Sequence, residues 1–399
     1  NLLRNAAMKH GLFLADDGVL ICPSAESLQR ALDICSRFAH SSGFEFHADD
    51  KGKKCAFMPY AVPGVPPTFY ISGSAIAQVS SYVYLGAIFR VDDPWFSAQW
   101  QRALQRAGAR WALCRRAHVT AHGFSVLACR RMVFAHVIPL VEYAVEALPW
   151  KAAELQRCQT LITLILRFVM GAQPNESVVV CHSDMNIAPL HIRRHRSILR
   201  AFHRFTAGDS TAATQAVITA SIRRAAAFLW SGRSRAIPCW GLQLHDALRS
   251  FRLLHFWNPI DPCAAIRQLD RAAWYKLVDD ATPQVIHDWR MVEINAHDHL
   301  HVFYNFSRER RFASYLQCEN PFLREFVLGL RAGSLLVQDC KPSLLHRRSP
   351  VLSDDPSSCP FCSSAEPETV THFLLLLCLC HGAVTHPSRP TPWLSLHLV

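Results

Sequence analysis

Residues 11–42 leave little choice of local architecture. Leu12-Phe13-Leu14 and Val19-Leu20-Ile21 are short apolar runs on either side of Ala15-Asp16-Asp17-Gly18. Two such runs around an acidic, glycine-containing tetrad predict a β-hairpin with its carboxylates at the turn. Directly behind it Ser24 stands as an N-cap, and Leu28, Leu32, Cys35 and Phe38 recur at helical spacing. Ser41-Ser42-Gly43 predicts the end of that helix.

A second strand pair is predicted at Phe44–His47 and Cys55–Tyr60, joined by Asp49-Asp50-Lys51-Gly52-Lys53-Lys54. The proline-rich stretch 60–68 predicts a loop. Val79–Phe89 reads as strand, with Tyr84-Leu85-Gly86 inside it. Beyond Pro94 the period changes. Phe96, Trp100, Leu104, Ala107 and Trp111 form one apolar stripe opposite Gln101, Arg102, Gln105 and Arg106. Further helices are predicted from His122 to near Pro139 and over Ala153–Met170, the latter stopped by Gly171–Pro174. Residues 175–345 read as mainly helical, and the tail from Pro342 as loop-rich. The fold class expected is therefore α+β.

Half of the residues are hydrophobic and 18% are charged, a globular composition rather than a disordered one. Lys plus Arg number 42 against 31 Asp plus Glu, a formal charge of +11 that favours phosphate backbones or other anionic partners. The most apolar long stretch, Met132–Trp150, carries His136, Pro139, Glu142 and Glu146, and Phe373–Cys380 is too short to cross a bilayer. No membrane span and no secretion signal are expected, and an Asn at position 1 suggests a fragment. Fifteen scattered cysteines read as reduced thiols, mostly small core residues.

Asp-Asp pairs occur five times, and a solvated turn is the ordinary reading of any one. Asp16-Asp17 differs in its frame of strands and capped helix. Paired carboxylates at a strand end can hold Mg²⁺, and two such ions about 3.5–4 Å apart serve in-line phosphoryl transfer. Phe13-Leu14-Ala15-Asp16-Asp17-Gly18-Val19-Leu20-Ile21 resembles the metal-binding turn in the palm of non-LTR retrotransposon reverse transcriptases, with Leu14 at a usually aromatic position. Ser27-Leu28-Gln29 to Phe38 is similar to the helix after that turn. Gly43-Phe44-Glu45-Phe46 with Lys51, Lys53 and Lys54 looks like the next segment, in which Lys51 or Lys53 matches the lysine near the incoming nucleotide. Tyr84-Leu85-Gly86 resembles the primer-grip strand. Pro139-Leu140-Val141-Glu142-Tyr143-Ala144-Val145-Glu146, with Trp150 and Leu155-Gln156, looks like the thumb, and Pro189-Leu190 with Arg193 and Arg194 fits the helical part downstream.

The resemblance implies RNA-templated DNA synthesis. Asp16, Asp17 and Lys51 would be catalytic, and Tyr84, Leu85 and Gly86 would seat the primer. Mg²⁺ would be the catalytic cofactor. An RNA template, a DNA primer or target and dNTP would be the partners, at a nuclear site of action, with no membrane. It also implies a further metal-binding Asp and a fingers region ahead of the Asp-Asp turn. Only fifteen residues precede Asp16, so the expectation is part of a polymerase that does not extend a primer by itself.

The most specific local spacing is Cys359-x2-Cys362-x9-His372-x5-Cys378. Two thiolates on one turn and a distant His/Cys pair can complete a zinc tetrahedron, with Cys380 and His381 as alternative fourth ligands. This segment also resembles the Cys-Cys-His-Cys knuckle after the polymerase in the same elements, with one residue more between His372 and Cys378 than is usual. Arg331-x-Gly333 fits the family's pattern as well.

Arg193, Arg196, Arg200 and Arg204 fall at helical spacing and share a face, able either to track phosphates or to form a solvated face. Arg223, Arg224, Arg233 and Arg235 extend the basic region. Trp95, Trp100 and Trp111 read as core rather than base-stacking platforms. The domains expected are a partial palm (1–90), thumb-like helices (91–175), a basic helical extension (176–345) and a zinc-knuckle tail (346–399). A rival reading is a non-catalytic, zinc-stapled nucleic-acid-binding remnant. A third is a helical interaction protein with no nucleic-acid role.

Overall fold

The acidic hairpin forms. In the computed structural model β1 (Gly11–Leu14) and β2 (Asp17–Leu20) are antiparallel, with Leu14 opposite Asp17. Only two residues connect them, fewer than the tetrad predicted. The structure describes residues 11–14, 17–48, 54–60, 66–120, 123–172, 176–206, 212–232, 237–262, 264–296, 300, 313–317 and 327–328. These residues form an α+β protein, mostly helical with a few small sheets.

Helix α1 (Ala25–Ser42) starts in a capping box: the Ser24 hydroxyl accepts from the Ser27 amide, and the Ser27 hydroxyl accepts from the Ser24 amide. Gly43, at φ +75°, ends it in the left-handed cap that glycine adopts most readily. Ala31, Leu32, Cys35 and Ala39 are its buried residues, and Phe38 is exposed, so the apolar face is rotated from the one predicted. Leu32 packs with Phe69, Ile71 and Ile76 of a small sheet. In that sheet β5 (Ser74–Gln78) lies between β4 (Phe69–Ile71), antiparallel, and β3 (Ala56–Phe57), parallel. The Gln29 side-chain amide exchanges two hydrogen bonds with the backbone of Tyr70, satisfying both its N–H and its C=O.

The strand predicted at Phe44–His47 is absent. Phe44 sits edge-on between Phe38 and Phe46, with ring centres 5.8 and 5.6 Å apart, and the segment joins no ladder. Val79–Phe89 is also not one strand. It is a hairpin, β6 (Ser81–Tyr84) and β7 (Ala87–Arg90), turning at Leu85-Gly86.

Helix α2 (Ser97–Thr120) buries Trp100, Ala103, Ala107 and Cys114. The Trp100 indole stacks on Trp150 at 3.6 Å and donates to the Pro149 carbonyl, so this tryptophan is core, as expected. Next come α3 (Val126–Met132), a π-helical turn (Val133–Val137) and α4 (Ile138–Glu142). Pro139 accounts for the π turn: it has no N–H for the α-helical ladder, and its ring would meet the carbonyl four residues back. Helix α5 (Ala152–Met170) ends at Gly171, φ +74°.

Then follow α6 (Val178–Asp184), α7 (Leu190–Thr206), α8 (Ala212–Trp230), α9 (Trp240–Ser250), α10 (Ala264–Arg267) and α11 (Arg271–Asn295). Buried Trp274 meets Phe202 and Phe256 edge-on, and its indole donates to the Leu199 carbonyl. Gly241 lets α9 approach α8: a Cβ there would collide with the Ser221 carbonyl.

The described residues divide into two compact units. One draws on 1–124, 128–162 and 188–287, the other on 125–127, 163–187 and 288–399. In the second, buried His182 bonds Thr163 and the Ile187 carbonyl and faces the Trp289 ring edge-on. Among the described residues no helix is long and apolar enough to cross a membrane. Six of the eight described cysteines are buried, and burial pushes the Cys158 and Cys181 thiols up to about 12.

Candidate nucleic-acid interface

The first unit brings together three stretches that the sequence had offered separately. Tyr84 and Ala87 close the β6–β7 ladder, and Leu85 and Gly86 both have positive φ, +46° and +80°. Two successive left-handed residues make the tight primed turn that suits twisted strands, and glycine at the second relieves its strain. Tyr143, just past α4, reaches this turn. Its hydroxyl donates to the Leu85 carbonyl, and its oxygen lies 3.1 Å from where a Gly86 Cβ would be. A 58-residue separation in sequence is thereby closed by one side chain.

Helix α7 docks on the same stretch through ion pairs. Arg193 forms two bonds with the Glu142 carboxylate. Arg204 pairs with Glu146 at 2.9 Å. Arg196 and Arg200 both reach Asp279 of α11 at 2.8 Å. Arg200 also lies over the Tyr275 ring, and Arg193 over Phe134. The four arginines share one face, as their spacing predicts. Three carboxylates already engage them, which leaves that face a surplus of one positive charge. Sequence spacing located the arginines; nothing local marked their partners, 51 to 83 residues away.

Between these arginines α7 carries a second set of basic groups. Arg194 is 6% exposed, and its Nε and Nη2 have no hydrogen-bond partner. Burial pulls its guanidinium down to about 10, against a partial offset from Asp246. His195 has a sealed Nδ1 without a partner. Burial first, then the charges of Arg194, His191 and Arg249, lowers its imidazole to about 3. Burial lowers His191 as well. This set holds His195 uncharged at neutral pH, which limits what it adds to the electrostatic surface.

Helix α8 keeps Arg223 and Arg224 exposed, along with Trp230, which is 80% exposed.

Of the remaining candidates, Asp17 opens β2, and its side chain lies outside the described residues. Asp16, Lys51, Lys53, Arg233, Arg235 and Arg331-x-Gly333 lie outside them too, as do Cys359, Cys362, His372, Cys378, Cys380 and His381. Among the described residues there is no group of three or more metal-ligating side chains. No family model matches this chain, and neither a curated protein nor a solved structure matches it.

Proposed function

We propose that this chain is a part of a non-LTR retrotransposon reverse transcriptase, running from the Asp-Asp turn of the palm through the thumb to a zinc knuckle, and that it binds a primer on an RNA template. The observation that carries the reading is the convergence at Tyr143. In sequence Tyr84-Leu85-Gly86 and Pro139–Glu146 resemble successive polymerase segments, and Arg193–Arg204 has basic helical spacing. In the folded chain the second of them holds both of the others, through Tyr143 to the turn and through Glu142 and Glu146 to α7.

On this reading Asp16 and Asp17 supply carboxylates for Mg²⁺, Lys51 lies near the nucleotide, and the Leu85-Gly86 turn seats the primer end. The donor set Cys359, Cys362, His372 and Cys378 has the thiolate and imidazole chemistry that zinc takes. Arg193, Arg196, Arg200 and Arg204 then build the thumb, with their remaining exposed edges beside the template.

The test is fluorescence anisotropy with an RNA–DNA hybrid carrying a recessed primer 3′ end and a blunt hybrid of equal length. The expected result is tighter binding to the recessed end. Tyr143→Phe, which frees the turn by one hydrogen bond, reduces that preference about fivefold, the equivalent of roughly 1 kcal/mol. Equal affinity for the two hybrids overturns the proposal.

A further inference from the structure

Between Asp184 and Asp246 the chain holds nine arginines and one acidic residue, Asp209. The structure sorts them. Arg193, Arg196, Arg200 and Arg204 are engaged by carboxylates, and Arg194 is buried. Arg233 and Arg235 lie outside the described residues. The solvent-facing remainder is Arg223 and Arg224 on α8, a helix that contains no acidic residue.

Ile218, Ile222, Ala225 and Ala226 bury one side of α8. On the other side Arg223 and Trp230 are seven residues apart, two helical turns or about 10 Å along the axis, and point within about 20° of each other. Ala220 and Ala227 flank them with exposed short side chains, so the floor is flat. Arg223 donates to the Ile260 carbonyl at 3.2 Å, which fixes its stem and leaves the rest of the guanidinium outward.

We infer that the exposed face of α8 is a binding site for single-stranded nucleic acid, in which Arg223 and Arg224 contact phosphates and Trp230 stacks on a base. Guanidinium charge beside an exposed aromatic ring is the pair that sequence-independent single-strand binding needs. A membrane surface fits less well. On α8 the exposed large apolar groups are Val217, Leu229 and Trp230. Val217 lies thirteen residues before Trp230, about 140° away around the helix, with Arg223 and Arg224 between them, so they form no single apolar face. The inference rests on the nucleic-acid reading above and assigns the single strand to a surface distinct from the Leu85-Gly86 turn.

The experiment measures anisotropy of a fluorescein-labelled 20-nucleotide RNA without secondary structure against salt, with the full chain. Arg223→Gln/Arg224→Gln is expected to weaken binding at least tenfold at 100 mM salt. It should also lower the slope of log K against log salt by about 1.4, the share of two phosphate contacts on a single strand. Trp230→Ala is expected to cost about tenfold with the slope unchanged. Arg106→Gln/Arg110→Gln on α2 removes the same charge from another exposed face and serves as the control. Equal losses in the two double variants overturn the site, because net charge alone then explains them. Binding of wild type to phosphatidylserine vesicles but not to the RNA, abolished in the α8 variant, also overturns it. The recessed-end preference of Arg223→Gln/Arg224→Gln separates the two proposals: retained preference with lost single-strand affinity supports both, and an absent preference in wild type removes the polymerase reading while leaving the α8 result to stand by its slope.

Discussion

His195 makes the fold sensitive to mild acid, and the size of the effect follows from where it sits. Unfolded, its imidazole titrates near the usual 6.5; folded, burial and the neighbouring Arg194, His191 and Arg249 hold it at about 3. Between those values the unfolded chain binds a proton that the folded chain does not, so stability falls as pH drops below about 6.5. At pH 7.5 both states are neutral, and His195 contributes almost nothing to the pH dependence. At pH 5 the unfolded state gains about 2 kcal/mol from its proton by the same linkage, and the folded state gains almost none. The figure at pH 5 barely depends on the folded value so long as that stays well below 5. Urea denaturation of wild type and His195→Gln at pH 7.5 and pH 5.0 reads it directly. Wild type should lose about 2 kcal/mol more than the variant over that interval. Parallel losses would refute the half-buried, uncharged His195 and with it the docking of α7 described above.

Four other perturbations have definite outcomes. Gly86→Ala places a methyl group against Tyr143 at a left-handed φ and should cost about 1–2 kcal/mol in urea denaturation. Asp279→Asn releases Arg196 and Arg200; because these pairs are partly solvated the stability loss should be only about 0.5–1 kcal/mol, while the salt slope for RNA binding steepens by up to about 1.4. Gly241→Ala drives a Cβ into the Ser221 backbone and should cost about 2–3 kcal/mol, read as a lowered thermal midpoint. Metal analysis of the purified chain should find one zinc, lost in Cys359→Ala, and chelation should weaken RNA binding; full RNA affinity in the metal-free chain would count against the knuckle.

What the sequence made legible was local. The hairpin at Asp16-Asp17, the Ser24 cap and the stops at Gly43 and Gly171 each depend on a few neighbouring residues, and each formed. Val79–Phe89 reads as continuous β-prone residues, and only Gly86 among them marks the turn that splits it into a hairpin. Strands β4 and β5 carry little sequence signal for a related reason: they are short, they follow a proline-rich loop, and Ser72-Gly73 alone marks their turn. The β3–β5 pairing is parallel and non-local, and Phe44–His47 has strand alternation but is used to stack aromatics at the end of α1. The arginine face of α7 was found by its period. Its neutralisation was invisible, since Glu142, Glu146 and Asp279 become neighbours only when α4, α7 and α11 pack. That non-local pairing shifts the exposed positive charge from α7 to α8.

The most direct test of the account is where a primer end rests. A DNA primer with 4-thiothymidine at its 3′ terminus, annealed to an RNA template, is irradiated on the full chain, and the cross-linked peptide is identified by mass spectrometry. Cross-links within residues 79–90, at the Tyr84-Leu85-Gly86 turn that Tyr143 holds, are the predicted result. Cross-links confined to other parts of the chain, with residues 79–90 unmodified, would contradict the claim that this turn seats the primer.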